Sequence, residues 1–151
     1  MENLKIDTGT KRIMINDDPN NVLEFNPADV AFAEAFYQLM KNFEEKQVEY
    51  SARAEALDKN KAVDSTGVPI NFQEGMELLR EINIFMRGEI DILFGAGTSQ
   101  KLFGNAVNLQ MFTQLFEGIT PFIASARVAK VSAYAPVVKS KVKKHKKNVM
   151  S

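Results

Sequence analysis

The sequence contains no cysteine. Disulfides, thiolate metal sites and a cysteine nucleophile are therefore excluded. Its one histidine, His145, leaves no histidine cluster for zinc or copper. That histidine sits in a lysine run, so no serine, histidine and acid set for hydrolysis is to be expected. No apolar run approaches the roughly 20 residues that cross a bilayer. Residues Met1–Thr10 show no basic stretch followed by an apolar one, so no secretory signal is expected there. These absences predict a non-enzymatic, cytosolic protein without cofactor, metal or membrane span.

What is present is ordinary in amount and uneven in placement. The 151 residues are 45% hydrophobic and 25% charged, which suits one globular domain and excludes wholesale disorder. The formal net charge is zero. No acid follows Glu117, however, and eight of the nineteen basic side chains fall between Arg127 and Ser151. An acidic body therefore carries a basic tail. The reading is a single domain over residues 1–135 and a flexible lysine-rich tail over 136–151, because like charges repel and nothing apolar offsets the entropy of ordering them.

Alternating apolar residues predict two strands, Leu4–Asp7 and Lys11–Asn16, joined through Thr8-Gly9-Thr10. The turn formers Asp17–Asn21 would end the second strand, and Val22–Phe25 would add a short third one. Asn26-Pro27 then predicts a helix start, with Asn26 as cap and Pro27 in the first turn. Steps of three and four between Phe32, Phe36, Leu39, Phe43, Gln47 and Tyr50 predict one long helix over 28–57. Residues 58–71 read as a loop. A second helix is expected over 71–94, capped by Asn71, and its apolar residues cover more than one face. Gly95 should take the left-handed position that ends it, and residues 99–104 a short helical turn. A third long helix is expected over 106–134, kinked or divided near 117–120 because Pro121 removes an amide donor. The class is mainly α (α+β): three amphipathic helices, a small N-terminal antiparallel β-hairpin and a disordered basic C-terminal tail.

Several local patterns carry little chemistry. Gly95-Ala96-Gly97-Thr98-Ser99-Gln100-Lys101 has the look of a phosphate loop, but Gln100 stands where the third glycine belongs and a helix precedes it. Asp58, Asn60, Asp64 and Gly67 miss calcium-loop spacing, since Ala62 stands at a ligand position and Val63 at the sixth, where glycine belongs. Glu74, Glu77 and Glu81 lie on one helix face beside Arg80 and read as a solvated stripe, not an acid–base pair. The tail lysines Lys139, Lys141, Lys143, Lys144, Lys146 and Lys147 could neutralise phosphates, but offer no stacking ring and no base-reading fork.

The string Leu23-Glu24-Phe25-Asn26-Pro27-Ala28-Asp29-Val30, placed before a Phe-rich helix, resembles small tail assembly chaperones of phages and prophages of Gram-positive bacteria. The stretches Phe94–Gly104 and Phe116–Ile123 look like two further markers, and the similarity runs over about residues 4–134. The resemblance implies a protein that coats the long helical tape measure protein in the host bacterial cytoplasm and leaves as tail tube protein polymerises. It brings no catalytic residues. A chaperone of apolar helices needs exposed apolar helical surface that releases its client, and flexible Met with large Phe suits that task. The chain has 7 Met and 11 Phe. Phe85, Met86, Ile92 and Phe94 of the second helix are the expected residues for partner contact or self-association, with Phe85→Asp expected to abolish capture and spare helicity. The alternatives are a structural tail component retained in the particle, and a nucleic-acid-binding protein using the basic tail.

Overall fold

The computed structural model describes residues 1–134, with side chains as far as Ala126. The predicted flexible tail over 136–151 and its lysines lie outside the described residues. The elements in order are β1 (Lys11–Ile15), β2 (Asp18–Phe25), α1 (Val30–Asp58), α2 (Phe72–Phe94), α3 (Thr98–Phe103) and α4 (Gln110–Tyr134). The mainly helical class with an N-terminal hairpin holds. The strands that make the hairpin differ from those expected.

Asn16 and Asp17 both adopt positive φ, 54° and 60°. These two residue types tolerate the left-handed region, and a two-residue turn of that kind matches the twist of paired strands. The turn therefore falls at Asn16-Asp17, and β1 pairs antiparallel with β2 with Ile13 opposite Leu23 and Arg12 opposite Glu24. The predicted short third strand is the body of β2. Residues 1–10 form no strand. Their expected turn is held elsewhere: Asn26 Nδ2 donates to the Thr8 carbonyl at 2.6 Å, and a Cβ on Gly9 would stand 2.8 Å from Ala28 Cβ.

Asn26 also gives up its expected capping role. Its Oδ1 accepts from Ala28 N, which turns the chain, and Asp29 caps α1 by accepting from Ala31 N at 2.9 Å. Pro27 is fully buried before the helix starts. Asn71 does occupy the cap position of α2 but makes no capping bond. Its amide donates to the Leu57 and Asn60 carbonyls instead. It thereby satisfies an acceptor at the far end of α1, where helix carbonyls lack intrahelical partners.

Gly95 is extended with φ 116° and ψ 151°, a region essentially confined to glycine. The left-handed residue is Gly97, φ 85° and ψ −5°, which precedes α3. The expected short helical turn is α3 itself. The Asp91 carboxylate accepts from both the Ser99 amide and its hydroxyl. Arg87 donates to Asn83 Oδ1 and to the Ser99 and Ala106 carbonyls. Lys101 Nζ donates to the Val22 carbonyl, and Asn21 Nδ2 to the Lys101 carbonyl. A short helix that could not persist alone is thus fastened to α2 on one side and β2 on the other.

α4 runs unbroken through Pro121, so the expected division is absent. Proline costs the Glu117 carbonyl its amide partner, and the neighbouring Thr120 hydroxyl donates to the Phe116 carbonyl. The core lies where β2, α1, α2, α3 and α4 meet, with Ile90, Phe112 and Ile119 at its centre. Phenylalanines knit it: Phe25 meets Phe32 and Phe94, Phe43 meets Phe116 at 5.1 Å edge-on, and Phe103 meets Phe112 at 5.2 Å. Tilted and edge-on ring pairs of this kind each add about 0.5–1.5 kcal/mol beyond area burial.

Candidate partner-binding surface

α1 and α2 are too long for the core they serve. At 1.5 Å per residue, α1 spans about 43 Å. The residues it sends into the main core end at Phe43, and those of α2 begin only at Met86. Side-chain contacts give the pairing beyond that point. Asn42 Nδ2 donates to Glu89 Oε2, Phe43 and Tyr50 flank Phe85, and Arg53 meets Glu81. Advancing along one helix retreats along the other, so the pair is antiparallel. The stretches after Phe43 and before Met86 form an arm packed on itself, with Tyr50 and Leu78 buried.

The Arg53 guanidinium lies 2.6 Å from the Glu81 carboxylate and also reaches Glu49. The hydrogen bond from Arg53 holds the Glu81 carboxyl below its usual range, and the same bond raises Arg53. Lys46 is raised by its bond to Glu49. Burial pushes the Tyr50 phenol up. The charged groups Lys46, Glu49, Arg53 and Glu81 are exposed, and exposed ion pairs contribute little to stability.

The tip of the arm is a tied loop. Asp64 accepts from the Thr66 amide and hydroxyl and from the Val68 amide, led by the hydroxyl bond in holding its carboxyl low. Val63 and Pro69 form a bridge, and Ile70 N donates to the Ala62 carbonyl. Asp64, singled out as a weak calcium ligand, is thus engaged with its own loop. Among the described residues no three His, Asp or Glu side chains converge.

On α2 the periodicity acquires a spatial meaning. Phe72 and Ile90 are eighteen residues apart, five full turns, and so point the same way. Ile90 has 0% exposure and Phe72 has 50%. Met76 and Leu79 lie on the same line as Phe72 and are also exposed, as are Val68 and Ile70 in the loop just before it. The apolar stripe of α2 therefore continues about three turns past the elements that cover it. Glu74 and Glu77, both exposed, edge this stripe with negative charge. Glu81, expected to share a solvated face with Arg80, turns to Arg53 on the other helix.

The four residues expected to touch a partner do not form one surface. Phe85 lies between Phe43 and Tyr50, with Lys46 Nζ 5.7 Å from its ring centroid. Met86 packs on the main core. Phe94 meets Phe25 and Phe32. Ile92 alone stands open, at 80% exposure. Phe85→Asp would therefore place a carboxylate between the two helices of the arm, and would disturb the arm's own packing as well as any partner contact. Phe72, Met76 and Leu79 were all apolar positions of the predicted helix. Their i, i+4, i+7 spacing was the available signal, but nothing local separates a covered stretch of stripe from an uncovered one. The phosphate-loop look-alike after α2 is the fastened entry to α3.

A protein-family model, that of a Family of unknown function (DUF6673), matches residues 19–149. No curated protein and no solved structure matches the chain.

Proposed function

The chain belongs to this family of unknown function, and we propose that it is a non-enzymatic tail assembly chaperone that binds the tape measure protein. The reading rests on the resemblance of the strings around Phe25, Gly97 and Phe122 to that group of phage proteins. The structural observation that carries it is the uncovered stripe Phe72, Met76, Leu79 at the end of a preformed helical arm. A helix with an apolar seam can lie along such a stripe, and basic residues beside that seam would meet Glu74 and Glu77. Three anchors of which none is fully buried suit binding that must later be undone. The work is done in the host cytoplasm, where tail tube protein displaces the chaperone, with no bond made or broken.

The test is co-expression with the tape measure protein encoded by the same phage or prophage. The wild-type chain should co-purify with it. Met76→Asp/Leu79→Asp should lose at least ten-fold of that recovery while keeping the wild-type circular dichroism and melting midpoint. Equal recovery by the variant would refute the assignment of the surface, and no recovery by the wild type would refute the function. Mass spectrometry of mature particles should find the chain absent.

A further inference from the structure

The two-stranded sheet has one closed edge and one open edge. The β2 edge is tied to α3 through Asn21 and the Val22 carbonyl. β1 pairs with β2 alone, and among the described residues no further backbone bond reaches it. A bare edge is a template for another strand, and a lone two-stranded ribbon is marginal in water.

That edge has an apolar floor. Met111, Leu115, Gly118 and Phe122 follow each other on α4 at steps of four, three and four, one face of the helix. Clefts lie against both ends of this face, and residues of β1 contribute to the lining of each. One, of about 730 Å³, lies between the Phe122 end of this face and the chain's own Asp7, Thr8 and Gly9, with Lys11 of β1 in its lining. The other, of about 390 Å³, is lined by Met14, Ile15, Met111 and Leu115 among others. Gly118 contributes no side chain between them.

A matching strand exists in the same sequence and is unused. Leu4 and Ile6 alternate with polar residues, yet they are 81% and 76% exposed and belong to no strand. The segment does not fold back on β1: the Thr8 carbonyl accepts from Asn26, and Gly9 lies against Ala28 too closely to admit a side chain. We propose that residues 2–7 of one copy add as a third, antiparallel strand to the β1 edge of a second copy.

The register follows from the faces. Ile6 opposite Ile13 puts Leu4 beside Ile15, so both apolar side chains turn toward α4 with the inner face of the sheet. It also sets Asp7 opposite Arg12 and Lys5 opposite Met14 on the outer face. Exchange of an identical element between copies needs no surface beyond those already present. The proposal does not depend on the chaperone reading, since it involves neither the arm nor any partner of it.

Sedimentation equilibrium of the full chain tests it. The wild type should be a dimer, and Leu4→Asp/Ile6→Asp should be a monomer with unchanged circular dichroism, since both side chains are exposed in the single chain. A monomeric wild type, or a dimer that survives the double substitution, would overturn it. The absence of native cysteine allows a second readout. Mixing and oxidising chains that carry Lys5→Cys with chains that carry Met14→Cys should give a covalent heterodimer on a denaturing gel. A chain carrying both should cross-link between molecules. A disulfide closed within one molecule would place the strand in its own hairpin and overturn the exchange.

Discussion

α2 passes through two different environments along one apolar line. Toward its C-terminal end, Ile90 is fully buried in a core shared with β2, α1, α3 and α4. Toward its N-terminal end, Phe72, Met76 and Leu79 point the same way and face solvent. Residue type and spacing are alike in the two halves. Coverage alone separates them, and coverage is decided by how far α4 and the hairpin extend. A helical stripe states what a helix is able to bury, while its neighbours determine what it does bury.

Truncations on the two sides should expose the widest gap. Phe112→Ala removes a ring with 1% exposure and should cost about 3–5 kcal/mol by denaturant unfolding. Phe72→Ala should cost under about 1 kcal/mol. Similar costs would mean that the arm is covered in solution. A middle-sized effect is expected at the join. Arg87→Ala removes three hydrogen bonds and the guanidinium over Phe103, a loss of about 1–3 kcal/mol. Amide exchange should accelerate across α3 and leave the arm as it was. Acceleration across residues 46–82 instead would show that the two halves are not separable.

The smallest effect lies in the arm and depends on pH. The Glu81 and Asp64 carboxyls both sit below their ordinary values, through bonds from Arg53 and Thr66 respectively. A depressed carboxyl stabilises fully above its ordinary value, here 4.5 for Glu81, and loses that contribution as pH falls through the folded value. Acidification should therefore raise amide exchange in the arm and loop before it does so at Ile90. Added salt at neutral pH should mimic the change at Glu81, because the pair with Arg53 is exposed. Simultaneous loosening of both halves would remove the distinction.

The long helices were legible because their signals are local. Steps of three and four placed α1 within two residues at its start and one at its end, and α2 within one residue. The hairpin falls elsewhere than the sequence pattern suggests because the contact that bears on it is not local. Thr8-Gly9-Thr10 and Asn16-Asp17 are both competent turns, and the choice between them depends on Asn26, which takes the Thr8 carbonyl from eighteen residues away. Asn71 shows the same limit, since its cap-like position gave no hint that its amide would serve α1. The candidate surface was half legible. Its residues stand in the apolar pattern of α2, but so do Phe85, which packs inside the arm, and Met86 and Phe94, which pack on the main core.

α2 is one uninterrupted rod of 23 residues, about 34 Å long, rooted at one end by Arg87, Asp91 and Ile90. Whatever grips the free end therefore acquires a fixed bearing relative to the body. On the proposed reading, copies lined up on an extended client would be oriented alike, each a spoke of set length, and the interval between them would be dictated by the bodies and not by the grip.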